Sequence, residues 1–252
     1  MKRHRVKRSN NRGFSLVEMA IVLIIFTLLA SGLMTTLSAQ QEIQRLNEVR
    51  RQLADIREAL LAYAAVNGKL PSPAQPGIAS GAANAGVSDD SLVTGAKPTG
   101  MGVLPWVTLG LPETDPWGQR FTYRVTPEFT KAPGTSTTTC ASNPAPTQAG
   151  FALCSQGNIQ VKDRNATNIV KDAPAVVVSH GRNGLGGYGR DGQQRPGAAG
   201  DERVNATVNS TVTGCSGGCF VSREQAPDFD DELIWVPLPI LMSRMLAAGR
   251  LP

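Results

Sequence analysis

A single carboxylate, Glu18, lies inside an otherwise uncharged apolar segment. Residues 14–37 carry no other formal charge, and these 24 residues are enough to cross a bilayer as a helix. A charged side chain at the centre of a membrane costs about 2.5 kcal/mol or more, and such residues usually have a function. The segment therefore predicts a transmembrane helix in which Glu18 has a functional role, rather than a plain anchor.

Cysteines are the second set of chemically active side chains. The chain has four, Cys140, Cys154, Cys215 and Cys219, and none of them lies near a histidine in the sequence. An even number suits two disulfides, whereas a four-cysteine zinc site usually shows two close C-x2-C pairs. A bridge from Cys140 to Cys154 and a tight loop from Cys215 to Cys219 are both possible, but the sequence alone allows three pairings. If the domain is exported, disulfides are expected rather than a metal site or a redox pair.

Positive charge is concentrated at the N-terminus. Six of the 25 Lys and Arg residues lie within residues 1–13, which contain no acidic residue. The other 19 basic residues are balanced by 20 acidic ones, so the body of the chain gives no charge-based reason to expect nucleic-acid binding. Basic residues before an apolar span stay in the cytoplasm, and the chain after about Gln40 is then expected outside it.

The junction between the basic leader and the apolar segment reads Arg12-Gly13-Phe14-Ser15-Leu16-Val17-Glu18. It resembles the class III leader of type IV pilins and type II secretion pseudopilins. The resemblance implies that prepilin peptidase, which is also the N-methyltransferase, cuts after Gly13 and methylates the new N-terminal Phe14. Glu18 then becomes the fifth mature residue, and its carboxylate can pair with the Phe14 amine of a neighbouring subunit. An ordinary signal peptide has a shorter apolar region and small residues at its cleavage site.

An amphipathic stretch follows the apolar segment. Apolar residues recur at spacings of three and four, at Ile43, Leu46, Val49, Leu53, Ile56, Leu60 and Tyr63. The pattern predicts a stem helix that continues from the span and ends near Asn67 and Gly68. The predicted organisation is a leader at 1–13, a transmembrane and assembly helix at 14–39, the stem helix at 40–70 and a globular domain at 71–252. A coiled coil on a membrane anchor is the alternative, although the heptad-like run is short.

Further patterns predict elements of the globular domain. Residues 71–100 are rich in Pro and Gly and indicate a surface loop, and the turn Asp115-Pro116-Trp117-Gly118 precedes an alternating strand. This turn and strand resemble the major pseudopilin of type II secretion. Short buried strands are expected at 151–154 and 174–179. A C-terminal helix is expected at 239–249, with an apolar side formed by Ile240, Leu241, Met245 and Leu246.

The same resemblance implies a calcium site. In the pseudopilin family a strand, a Ser-x-Gly loop and a closing Asp-x-Asp before Ile-Trp build one, and the counterparts here are residues 179–187 and 228–235. Carried over, Asp228 and Asp230 are the main ligands and Ser179 and Asp231 are further ones, supplying the oxygen atoms that calcium prefers. This chain departs from the family because about forty residues separate loop and acids. It also lacks an acid within His180-Gly181-Arg182-Asn183, so a solvated acidic turn is the alternative.

The expected fold is α+β and pilin-like. A long N-terminal helix, half of it transmembrane, packs on a small antiparallel sheet, with a short C-terminal helix. The expected function is that of a structural subunit of a type II secretion pseudopilus or type IV pilus-like filament, not an enzyme. Its partners would be other pilin or pseudopilin subunits, prepilin peptidase and the bacterial inner membrane, with the globular domain in the periplasm and no nucleic acid. The alternative is an exported binding domain or enzyme on a membrane anchor, which needs a convergent polar site.

Overall fold

The computed structural model describes residues 15–94, 99–140, 146–207 and 218–252, with the backbone alone at residues 29–39. The fold is α+β, as expected. In chain order the helices and strands are α1 (Leu16–Asn67), β1 (Met101–Val103), α2 (Trp106–Leu109), β2 (Thr122–Val125), β3 (Ile159–Lys162), β4 (Asn168–Ala173), β5 (Ala175–Ser179), α3 (Gly200–Ala206), β6 (Cys219–Val221), β7 (Glu232–Val236) and α4 (Leu238–Ala247). Short 3-10 helices lie at Asp90–Leu92 and Pro127–Thr130. The chain divides between residues 46 and 47 into two compact units.

The first unit contains the start of α1, which carries a capping box. Ser15 Oγ accepts a hydrogen bond from the Glu18 N–H at 3.3 Å, and Glu18 Oε2 accepts one from the Ser15 N–H at 3.5 Å. This reciprocal pair satisfies backbone donors that a helix N-terminus otherwise leaves unpaired. The apolar side chains that follow are exposed, and Leu16 and Phe26 are 87% and 68% exposed.

Within the described part of the chain, no helix combines the length and the hydropathy required to cross a membrane.

In the second unit, α1 packs one face into the domain core. Val49, Leu53, Ile56, Leu60 and Ala64 are all buried and share one hydrophobic cluster with the first sheet. Their spacings of three and four keep them on one face of the helix. The amphipathic pattern is therefore confirmed from Val49 to Leu60, whereas Tyr63 is only partly buried.

The end of α1 requires a glycine. The helix stops at Asn67, and Gly68 follows with a φ of 73°. A Cβ at this position would lie 2.3 Å from the carbonyl oxygen of Gln148. Glycine is thus favoured both by the left-handed backbone and by the close approach, which explains why the helix ends where the sequence predicts.

The first sheet has four antiparallel strands in the order β1-β2-β5-β7. Its inner strand β5 is buried at every residue, which confirms the buried strand predicted from the apolar run at 174–179. Because successive side chains point to opposite faces, Ala175 and Val177 join the core with α1. Val176 and Val178 lie on the other face.

A second sheet covers that other face and was not predicted. Its strand order is β4-β3-β6, with β3 antiparallel to β4 and parallel to β6. Ile159, Val161 and Phe220 pack against Val176 and Val178 of the first sheet. The domain therefore has three layers, formed by the second part of α1, the first sheet and the second sheet.

The predicted strand at residues 151–154 is wrong, because this segment forms a turn. Its apolar character comes from Phe151, which is fully buried and lies 4.8 Å from Phe129 between ring centroids.

Cys140 and Cys154 form a disulfide, one of the pairings considered from the sequence. Cys219 is also disulfide-bonded, whereas Cys215 lies outside the described residues.

The Pro/Gly-rich segment at 71–100 begins in the interior rather than on the surface. Ser72 and Ala74 are fully buried, and Ala74 forms β-bridges to Ser88 and Val103. Arg120 fixes the segment through hydrogen bonds. Its fully buried guanidinium donates to the carbonyl oxygens of Pro76 (3.1 Å) and Ile78 (2.7 Å). Backbone carbonyls bound by a buried cation can lie inside the fold at little cost.

The C-terminal helix is present as α4, but its buried side differs from the predicted one. Leu241, Met242 and Met245 are buried, whereas Ile240 and Leu246 are 45% and 43% exposed. The hydrophobic core thus takes up a narrower face of α4 than the apolar composition indicates.

Candidate functional site

The pairing of β5 with β7 brings two segments together at one end of the first sheet. The strands are antiparallel, and Ser179 at the end of β5 pairs with Glu232 at the start of β7. The loop after β5 (180–187) and the acidic segment before β7 (228–231) therefore lie side by side. They meet at Gly181, which has a φ of 56° and where a Cβ would lie 2.3 Å from the Asp230 carbonyl oxygen. Only glycine permits this approach.

Three carboxylates meet at this place, from Glu202, Asp230 and Asp231. One oxygen atom of each lies within 4.8 Å of those of the other two. Glu202 and Asp231 are buried and Asp230 is partly buried. Glu202 comes from α3, so the cluster joins three separate segments of the chain. These three residues are called the acid cluster below.

Two asparagines orient the acid cluster. Asn183 donates from its backbone N–H to Asp230 Oδ2 and from Nδ2 to Glu202 Oε1, both at 2.8 Å. Asn205 Nδ2 donates to Asp231 Oδ2, also at 2.8 Å. Asp230 Oδ1 and Asp231 Oδ1, in contrast, are buried and accept no hydrogen bond within the described residues. Buried oxygens without a donor are costly, and a cation held between them would supply the missing partner.

The electrostatics of Asp230 also favour a bound cation at the acid cluster. Its pKa is raised from 3.8 to about 6, first by burial and also by the nearby carboxylates of Glu202 and Asp231, against the opposing effect of the Asn183 N–H. Either a proton or a metal cation relieves this repulsion. The arrangement is therefore suited to binding a hard cation through oxygen ligands.

A cleft of about 430 Å³ lies beside the acid cluster. Asn183 and Glu202 line it on the cluster side, and Leu185 and Asp228 line other parts of its wall. The cleft gives a solvated cation a path to the carboxylate of Glu202.

His180 lies against the acid cluster but is closed to solvent. Its Nε2 is 2.8 Å from Thr122 Oγ1, and its Nδ1 approaches Asp231 Oδ1 to 3.4 Å without forming a hydrogen bond. A hydroxyl, an imidazole and a carboxylate in this order are the parts of a nucleophilic triad. Thr122, His180 and Asp231 are only 3%, 0% and 3% exposed, so no substrate can reach the hydroxyl. The trio instead links β2, the end of β5 and the acidic segment.

The residues that the resemblance implies as calcium ligands fall into two pairs. Asp230 and Asp231 belong to the acid cluster. Ser179 Oγ donates to Asp115 Oδ2 at 2.7 Å, and burial raises the pKa of that aspartate despite this bond. Asp228 is exposed and pairs with Arg223 at 2.9 Å. The structure thus engages Ser179 and Asp228 with other partners.

Glu202 is the member of the acid cluster that sequence reasoning missed. The stretch between the glycine loop and the final acids, which departs from the family pattern, contains α3 and so supplies the third carboxylate. Acidic residues are common in a first helical turn because they favour the helix dipole, so Glu202 did not stand out. Asn183 was visible in the loop sequence, but its side-chain hydrogen bond to Glu202 depends on the position of α3.

The processing residues Gly13 and Phe14 lie outside the described residues. Glu18 is exposed and makes the capping contacts with Ser15. Sequence reasoning missed this cap, although the spacing Ser-x-x-Glu was a sufficient signal.

Residues 8–34 match the family model of the prokaryotic N-terminal methylation motif. The match includes the Gly13–Phe14 junction and Glu18. It supports the resemblance to type IV pilins and pseudopilins, and it indicates a structural subunit that prepilin peptidase processes and whose N-terminus is membrane-anchored. Searches among curated proteins and among solved structures gave no significant match.

Proposed function

We propose that this chain is a structural subunit of a pilus-like filament, of the type II secretion pseudopilus or type IV pilus class. The observation that carries the proposal is the methylation motif at residues 8–34. Prepilin peptidase removes residues 1–13 and methylates Phe14. The apolar start of α1 is held in the bacterial inner membrane with the globular domain in the periplasm, until the subunit joins others of its kind.

Glu18 directs the assembly step in this proposal. An unpaired carboxylate in lipid is penalised, whereas a carboxylate that meets an amine in good geometry is stabilised. A subunit therefore enters the filament at the axial position where its Glu18 meets the Phe14 amine of a neighbour. Leu16 and Val17 beside it are 87% and 66% exposed, so both can pack against neighbouring helices in the filament.

Three substitutions separate the charge of Glu18 from its capping contact. Glu18→Ala removes both, Glu18→Gln keeps a side chain able to complete the capping box, and Ser15→Ala removes part of the cap but keeps the charge. We expect leader cleavage in all three variants, and loss of filament incorporation in the two Glu18 variants alone. Cleavage is read from the intact mass, and incorporation from the amount of subunit in the sheared filament fraction.

Glu18→Gln and Ser15→Ala together decide between the ion pair and the helix cap. Normal incorporation of Glu18→Gln together with failure of Ser15→Ala would assign the effect to helix capping and overturn the ion-pair role. Loss of the cap alone should cost about 1 kcal/mol, which is too little to prevent assembly.

Two features favour a secretion-type pseudopilin within this class. The Asp-Pro-Trp-Gly turn is closed by Asp115 Oδ1, which accepts from the N–H groups of Trp117 (3.0 Å) and Gln119 (2.9 Å). The acid cluster contains Asp230 and Asp231, two of the four residues that the resemblance implies as calcium ligands. Both features support the choice of a pseudopilin over an adhesive or DNA-uptake pilin.

Calcium binding by the acid cluster is a further part of the proposal. Glu202, Asp230 and Asp231 supply carboxylate oxygens, and the buried Oδ1 atoms of the two aspartates have no hydrogen-bond donor among the described residues. A bound calcium would tie together the glycine loop, α3 and the acidic segment. The test is the melting temperature of the mature chain during a calcium titration. It should rise with calcium, and an unchanged value would remove the metal from the proposal.

A further inference from the structure

The turn between β3 and β4 displays two polar side chains that the fold does not use. Asp163 Oδ1 closes the turn by accepting from the N–H groups of Asn165 (2.9 Å) and Thr167 (2.7 Å). The Asp163 N–H also donates to the Thr167 carbonyl oxygen at 2.9 Å. Asn165 and Thr167 are exposed, and their side chains make no hydrogen bond among the described residues. Turn chemistry therefore explains Asp163, but not the amide and the hydroxyl beside it.

Asn165 and Thr167 belong to the tripeptide Asn165-Ala166-Thr167, which is an acceptor pattern for N-linked glycans. An amide nitrogen is a weak nucleophile, so a transferase must hold the hydroxyl two residues later and turn the amide toward the sugar. The acidic side chain of Asp163, two residues before Asn165, gives a cationic enzyme site a further contact. We infer that Asn165 is the acceptor of an N-linked oligosaccharide added after export, an inference that requires only that the domain leaves the cytoplasm.

A second Asn-Ala-Thr tripeptide has the same sequence pattern, but the structure shows that its asparagine is buried. Asn205-Ala206-Thr207 has an asparagine that is 0% exposed. Its Nδ2 donates to Val221 O (3.1 Å) and Asp231 Oδ2 (2.8 Å), and the Thr207 hydroxyl donates to Arg203 O at 2.8 Å. This amide is closed to an enzyme, and residue 203 before it is basic. The third Asn-x-Thr pattern, at Asn209, lies outside the described residues.

The transfer step balances with a lipid-diphosphate-linked oligosaccharide as the donor. A bond forms between Asn165 Nδ2 and the anomeric carbon of the first sugar, and the bond from that carbon to the diphosphate oxygen breaks. The lipid diphosphate leaves with the electron pair, and the amide nitrogen loses one proton to the medium.

The test uses the full chain produced in its own cells, with three variants. Trypsin cuts after Arg164 and Lys171, so the peptide 165–171 isolates the site for mass spectrometry. We expect a glycan on this peptide in the wild type and its complete loss in Asn165→Gln. Asp163→Asn keeps an oxygen that can close the turn but removes the charge, and we expect at least a tenfold loss of occupancy. Asp163→Glu keeps the charge, and we expect it to retain the glycan.

An unmodified peptide in wild-type chain that carries the Cys140–Cys154 disulfide would overturn the inference, because that chain has been exported. Such a result leaves the filament proposal intact, since leader cleavage is read from the same sample. A glycan on Asn205 instead of Asn165 would overturn the argument from exposure.

Discussion

Asp230 is partly buried and lies beside two other carboxylates, and these conditions make its proton equilibrium part of the stability of the domain. Its pKa of about 6 in the folded chain exceeds the ordinary value of 3.8. Folding thus favours the protonated form. Its contribution to the free energy of unfolding is fully present below about pH 4 and is lost as the pH rises through about 6. Without calcium, we expect the melting temperature of the wild type to fall across this interval through Asp230.

Asp230→Asn isolates this effect. The amide oxygen can still accept from the Asn183 N–H, but the side chain does not ionise. Without calcium, the variant should lack this part of the pH dependence and should be at least as stable as the wild type at pH 7. With free calcium at 100 times its Kd, the wild type should gain about 2.7 kcal/mol and the variant much less.

Asp228→Asn is the matched control, because Asp228 is exposed and outside the acid cluster. It should keep the calcium response of the wild type. Equal calcium responses of the Asp230 and Asp228 variants would contradict the assignment of ligands. Differential scanning calorimetry at pH 4 to 7, with and without a chelator, makes the measurement.

At the scale of single residues, the sequence predicts those members of the acid cluster that lie next to a strongly apolar strand. Asp230 and Asp231 stand directly before the apolar strand β7, so their position could be predicted from the strand. Glu202 could not, because it reaches the acid cluster through α3, whose place depends on the packing of Asn205 between Val221 and Asp231. No local pattern in the sequence encodes that contact.

At the scale of single elements, α1 carries the largest predictable contribution to the core. Leu60 is fully buried in the cluster shared with the first sheet. Leu60→Ala should lower the free energy of unfolding by about 2 to 5 kcal/mol, because it removes buried apolar surface and leaves a cavity. Val66, in the same helix, is 68% exposed. Val66→Ala should change stability by about 0.5 kcal/mol or less.

Urea unfolding of the mature chain in detergent, followed by tryptophan fluorescence, measures both variants. Equal effects of the two substitutions would mean that the packed face of α1 has been assigned wrongly.

The elements that could be predicted are those whose buried residues form a regular apolar pattern within one continuous stretch of sequence. The spacing of Val49, Leu53 and Ile56 predicts the packed face of α1, and the apolar run at 174–179 predicts β5. The second sheet was missed because β3 and β6 are short and pair only after about sixty residues of intervening chain. Their pairing is parallel, so no hairpin turn marks it. The turn at 151–154 was mistaken for a strand because Phe151 is buried without being in a sheet.

At the scale of the whole molecule, the net positive charge of the chain comes from residues 1–13. The full chain has a formal net charge of +5, whereas without residues 1–13 it has 19 basic and 20 acidic residues. A subunit of the proposed filament is helped by a net charge near zero, because like-charged bodies repel. Removal of the leader therefore does more than expose the Phe14 amine. It also converts a cationic precursor into a subunit with little electrostatic resistance to association.

This conversion predicts a large change in isoelectric point during maturation. The full chain has an isoelectric point of about 9.2, and the mature chain should focus at neutral pH or below. Isoelectric focusing of the detergent-extracted protein from cells with and without prepilin peptidase should show the two forms, and an intact mass should place the new N-terminus at a methylated Phe14. Cleavage near Gln40 would produce a similar isoelectric point but a much smaller mass. That mass would indicate a secreted domain released from its apolar segment, which cannot join a filament through Glu18.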